Sequence, residues 1–118
     1  MKVILRPAYL HRLEEALDIL LGNGADAAAE RLAHQALHDV PDRLMQFPRI
    51  GRDFLARNPV SPDVLAAWDK AHALIGDDIE LRKYLLGDYL LLYVLHHDAI
   101  HLLALRHHQQ AGFDFSRS

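Results

Sequence analysis

Hydrophobic positions recur along this chain with two different periods. Between Ile79 and Leu105 three apolar runs are separated by turn residues at Gly87-Asp88 and His97-Asp98-Ala99. Their period-2 character and aromatic content predict three strands of an antiparallel meander. In the first, Ile79, Leu81 and Leu85 alternate with Glu80, Arg82 and Tyr84. The second, Tyr89 to Leu95, is almost wholly apolar, as expected of a central strand covered on much of both faces. Ile100 to Leu105 is the third.

Upstream the period is helical, apart from a short strand at Lys2 to Leu5 that Arg6-Pro7 ends, because proline cannot donate to a ladder. Leu10, Leu13, Leu17, Leu20 and Leu21 share one helical face, with Ala16 beside them, and Gly22-Asn23-Gly24 closes the helix. Asp26 is expected to cap a second helix whose apolar face is Ala29, Leu32, Ala33, Ala36, Leu37 and Val40, antiparallel to the first. Pro41 predicts a kink or a fresh helical turn, after which Leu44, Met45 and Phe47 resume the pattern until Pro48 and Gly51 stop it. Residues 52–60 read as loop. Ser61-Pro62 opens a third helix, roughly Pro62 to Leu74, marked by Val64, Leu65, Trp68, His72 and Leu74-Ile75. Trp68 and Leu65 are expected to anchor it to the body. The expectation is therefore a two-layer α+β domain over residues 1–118. An antiparallel sheet of about four strands packs on an N-terminal helical hairpin, and the upstream elements cover one face of the meander.

Composition narrows the possibilities. A chain of 118 residues is long enough for one domain with a real core. Cysteine is absent, which excludes disulfides, thiol catalysis and cysteine-ligated zinc and fits a reduced, cytoplasmic compartment. No apolar run suits a membrane span, and the N-terminus has no signal-peptide layout. The formal net charge of −3 argues against broad polyanion binding. Positive charge is nonetheless concentrated at Arg43, Arg49, Arg52 and Arg57, while nine histidines make net charge sensitive to mild acid.

Specific residues now enter. The chain resembles the RelE/ParE superfamily of toxins from type II toxin–antitoxin systems, and sits closer to ParE. Four elements carry the resemblance: LMQFPRIGR from Leu44 to Arg52, the strand opening Glu80-Leu81-Arg82, the turn Gly87-Asp88-Tyr89 leading to Leu92-Tyr93, and LLALRHHQQAGF from Leu102 to Phe113. The segment from about 53 to 78 is longer than the family's usual connection. The resemblance implies a first strand lying beside the last. It also implies a cognate antitoxin that wraps the toxin in a hetero-oligomer, and a macromolecular target: DNA gyrase for ParE-like members, or the ribosome and its mRNA for RelE-like nucleases. A degenerate member would bind antitoxin only and assist co-repression.

Two fates are open to each candidate residue. Arg82 either holds a scissile phosphate with its planar fork or pairs with a carboxylate on the strand face. Arg106 and His107, just past the last strand, suit a target or antitoxin interface, and in a nuclease would join Arg82 in catalysis. Phe113 lacks the hydroxyl that catalytic relatives place near this position, which argues for binding over chemistry. Arg49, Arg52, Arg57 and Arg43 form either a basic patch or a solvated helix end. Tyr89 and Tyr93 share a strand face and read as packing before base stacking. No cofactor is implied. His34 and His38 have chelating spacing but no third ligand, and His96, His97 and His101 surround a turn, so no metal site is expected.

Overall fold

The computed structural model describes residues 1–53 and 62–108, with side chains from 65 onward in the second stretch. The predicted Arg57 and Phe113 positions, and Val64 of the third helix's apolar face, lie outside the described residues. The elements are β1 (Lys2–Leu5), α1 (Pro7–Gly22), α2 (Asp26–His34) running through a wide helical turn at Gln35–Asp39 into α3 (Val40–Gln46), β2 (Arg52–Asp53), α4 (Pro62–Ile75), β3 (Glu80–Leu86), β4 (Tyr89–His96) and β5 (Ala99–His107). Among the described residues no helix is long and apolar enough to cross a membrane.

The sheet order is β1-β5-β4-β3-β2. The meander pairs antiparallel as its alternation predicts, and β1 joins β5 in parallel, with Lys2 opposite Ala99 and Leu5 opposite Leu102. The first strand thus lies beside the last. The sheet has five strands where about four were expected, because Arg52 and Asp53, read as loop, pair with Lys83 and Arg82. Two residues are too few to leave a period in sequence.

The helical hairpin covers one face of the sheet. Tyr9, Leu13, Ala16, Leu32, Ala36, Val40 and Leu44 meet Leu91, Tyr93, Leu95, Ile100, Leu102 and Leu105 there. On the opposite face α4 lays Ala67 and Ala71 against Leu81, Leu92, Val94, Leu103 and Ala104. The inserted helix therefore does not join the layer on the first face, and its cover accounts for the nearly continuous apolar run of β4. A bulge opposite Leu92 and Tyr93 turns both Leu103 and Ala104 toward α4.

Several side-chain expectations change. Trp68 packs against the α4 cluster, but Leu65 is exposed; the contact stripe is Ala67–Ala71, four apart, and small residues let the helix approach the sheet. Leu10, Leu21, Leu37, Met45 and Phe47 are also exposed, while Tyr9 is fully buried. Asp26 lies in the first turn of α2 and Ala25 occupies the cap.

The Pro41 interruption resolves into a wide turn. Leu32, Ala36, Val40 and Leu44 are each four apart, whereas a regular helix repeats every 3.6 residues or so. The turn absorbs the surplus, so all four face the sheet. Val40 N–H donates to Gln35 C=O. Pro41 has no N–H to offer, and the Ala36 carbonyl accepts instead from the Tyr9 hydroxyl at 2.8 Å. Burial pushes the Tyr9 phenol above its usual range and keeps it a donor.

Candidate functional site

The Phe47–Arg52 loop is fastened to the sheet by two side chains. Tyr93 on β4 is fully buried; its hydroxyl donates to Pro48 C=O at 2.8 Å and accepts from Gly51 N–H at 2.9 Å. Arg82, facing Tyr93 across β3–β4, donates from Nε to Gly51 C=O at 2.8 Å and from Nη2 to Arg49 C=O at 3.3 Å. Its Nη1 lies 2.8 Å from the Glu80 carboxylate, which Arg49 Nε also reaches at 3.0 Å. Desolvation raises the Tyr93 phenol, against a lowering from Gly51 N–H and Arg82, so it stays protonated at neutral pH.

Of the two fates open to Arg82, pairing is the one seen. The side chain is only 17% exposed and three of its nitrogens are engaged, so a phosphate would have to displace Glu80 or the loop carbonyls. Arg49 is the opposite case: 70% exposed and tethered to Glu80 through Nε. Arg52 and Arg43 are also exposed. Arg52, beside Lys83, Tyr84 and Leu85, borders an open cleft at the β2–β3 edge.

A second cleft lies at the other end of the sheet. Strand β1 reaches only to the level of Leu102, after which Pro7 turns the chain into α1. The last residues of β5 consequently face α1 with no strand beside them on that edge among the described residues. Arg12, Glu15, Ala16 and Ile19 of α1, Tyr89 of β4, and Leu105, Arg106 and His107 of β5 enclose about 330 Å3. Three residues singled out from the sequence, Tyr89, Arg106 and His107, meet here. Tyr89 presents its ring edge-on to His107 with centroids 5.3 Å apart. The floor is apolar, and Ile19 stands at the rim 65% exposed. Arg12 is bound to Glu15, whose other oxygen contacts His11 at 2.7 Å.

The predicted residues do not all converge. Arg82 is level with Tyr93, and His107 with Tyr89, two strands away. Four residues along a strand and two strand spacings place their backbones roughly 16 Å apart. Arg106 and His107 are adjacent on β5 and so leave it in opposite directions. Arg82, Arg106 and His107 therefore do not form one compact acid–base centre. The α1–β5 cleft instead offers an apolar floor, an exposed aliphatic anchor and a polar rim, which suits a protein surface.

The sequence pattern hides some of the residues that line the cleft. Ile19, Arg12 and Glu15 sit on a helix whose amphipathic pattern says which face is apolar, not which part of it the sheet leaves uncovered. The fastening role of Tyr93 and Gly51 was present in the sequence only as the spacing of the Phe-Pro-x-x-Gly and Leu-Tyr elements. Among the described residues no group of three or more His, Asp or Glu is arranged to hold a metal ion; His34 lies 3.2 Å from Asp39, with the His38 ring 5.3 Å away. Compared with known proteins, the sequence matches no family model and no curated protein.

Proposed function

We propose that this chain is the toxin component of a type II toxin–antitoxin pair of the RelE/ParE kind. It inhibits growth by binding a macromolecular target, DNA gyrase, and is neutralised in the cytoplasm by a cognate antitoxin protein. The observation that carries the binding reading over catalysis is the state of Arg82. Its guanidinium is committed to Glu80, Gly51 and Arg49, and it lies far along the sheet from Arg106 and His107. The α1–β5 cleft, with Ile19, Tyr89, Arg106 and His107, supplies an apolar pocket with a polar rim, into which an anchor side chain of a protein partner would fit. The sheet order, with β1 beside β5 and a helical hairpin on one face, agrees with the family resemblance, and the site rather than the fold separates the two activities.

Purified protein added to DNA gyrase and, separately, to translating ribosomes tests this reading. Loss of supercoiling without mRNA cleavage supports it. Ribosome-dependent cleavage that disappears in Arg82→Ala would instead establish the nuclease. Expression without any growth effect would point to a member that only binds antitoxin.

A further inference from the structure

The β1–β5 edge carries a cluster of cations that none of the preceding contacts uses. On β5, His101 is only 9% exposed, and its Nδ1 has no hydrogen-bond partner among the described residues. It pairs in register with Ile4, and alternation along β1 puts Lys2 and Arg6 on the same side of the sheet as His101. Opposite it on β4 is Val94, and two residues further His96 faces the same side, its ring centroid 6.4 Å from that of His101. The Nε of Arg6 is likewise buried with no hydrogen-bond partner among the described residues. Burial first, and then Arg6, His96 and Lys2, disfavour the charged form of His101. His97, in the turn, holds its ring tilted against that of His96 with centroids 4.1 Å apart, and Gly76, which Asp77 and Asp78 follow, approaches His96 Nε2.

Such a grouping is costly without a ligand. A buried donor without an acceptor forfeits about 1–3 kcal/mol, and like charges gathered at one place repel. Folded chains normally relieve this with a carboxylate, as Glu80 does for Arg49 and Arg82. Among the described residues no carboxylate takes that part at the β1–β5 edge.

We infer that Lys2, Arg6, His96 and His101 form an oxyanion site that takes a dianionic phosphate group. The unpartnered Arg6 Nε and His101 Nδ1, with Lys2 and His96 on the same side of the sheet, suit a group with several acceptor oxygens, to which arginine and histidinium give charge-assisted hydrogen bonds. A singly charged planar carboxylate would satisfy fewer of them. The phosphate group is either free or the terminal group of a nucleotide. Binding favours the protonated histidines, so occupancy and protonation of His101 rise together.

The test is an NMR titration of the His101 ring in the full chain, at matched ionic strength, in chloride, acetate, inorganic phosphate and adenosine monophosphate. Phosphate is expected to raise the midpoint of His101 by about one pH unit relative to chloride, corresponding to about tenfold tighter binding to the protonated form. A shift with both phosphate and the nucleotide assigns the site to the phosphate group itself, and a shift with phosphate alone assigns it to the free ion. Arg6→Gln and, independently, the exposed Lys2→Gln should each shrink the shift, while Arg31→Gln on α2 should leave it intact. Identical titrations in chloride and phosphate, or an acetate effect equal to that of phosphate, would overturn the assignment.

Discussion

Gly51 donates its N–H to the Tyr93 hydroxyl at 2.9 Å across a gap that admits no side chain. A Cβ at position 51 would lie 2.6 Å from Lys83 C=O and 2.7 Å from the Tyr93 ring and hydroxyl. Neither neighbour is the free end of a flexible chain: one is sheet backbone, the other a fully buried ring. Gly51→Ala is therefore expected to destabilise the fold by about 1–3 kcal/mol through overpacking. Tyr93→Phe, which strands the Gly51 N–H and the Pro48 carbonyl, should cost about 1–3 kcal/mol. Urea denaturation checks both, and wild-type midpoints for either variant would show that the loop is not fastened this way.

The Tyr9–Ala36 hydrogen bond yields a double-mutant cycle. Tyr9→Phe leaves the Ala36 carbonyl buried without a donor and is expected to cost about 1–3 kcal/mol. Pro41→Ala restores an N–H at the position the wide turn directs toward that carbonyl. The loss from Tyr9→Phe should shrink by about 1 kcal/mol in the Pro41→Ala background. Strict additivity would mean that Pro41 is not the reason the tyrosine is needed.

His101 gives the fold a definite pH dependence in chloride buffer. Burial first, and then Arg6, His96 and Lys2, hold its folded pKa below the unfolded value of about 6.5. At intermediate pH the unfolded chain therefore binds more protons than the folded one, and stability rises with pH. The contribution is present in full above about pH 6.5 and is lost as pH falls from there through the lower folded value. Comparing denaturation midpoints at pH 7.5 and 5.5, wild type should lose more stability than His101→Gln. Equal losses would remove His101 as the source.

In the β4–β5 turn, His97 adopts a φ of +55°, a left-handed conformation that costs a non-glycine residue about 1 kcal/mol. Gly87, at the equivalent place in the β3–β4 turn, has φ +58° without that cost. His97→Gly should raise the thermal midpoint, unless the ring contact with His96, centroids 4.1 Å apart, outweighs the backbone term. A lowered midpoint would show that it does.

These residues also show how far a sequence carries. The meander was legible because Ile79–Leu105 combines period-2 alternation with two turns whose first residues, Gly87 and His97, both take positive φ. The hairpin was legible as a pattern but not in detail. Leu37, within the wide turn at Gln35–Asp39, is exposed, and Tyr9 is buried where its hydroxyl meets the Ala36 carbonyl of that turn. The placement of α4 was not legible, because Ala67 and Ala71 carry too little hydrophobicity to outvote Leu65 and Trp68 in a periodicity argument. The candidate site was half legible. Tyr89, Arg106 and His107 stood out as residues at strand ends, but their meeting with Ile19 depends on where β1 stops. Arg82 stood out on its strand but its partners did not, since Gly51 C=O and Arg49 C=O reach it from a loop distant in sequence.

The α1–β5 cleft as a binding surface is tested most directly by gyrase supercoiling with purified wild-type protein and Ile19→Asp. Ile19 is 65% exposed at the rim and belongs to neither core cluster of the described residues, so the variant should fold normally while placing a charge at the proposed docking site. Saturable inhibition by wild type, weakened about tenfold or more in Ile19→Asp, equivalent to about 1.4 kcal/mol of binding, is the predicted result. Full supercoiling in the presence of excess wild-type protein, or equal inhibition by both proteins, would contradict it.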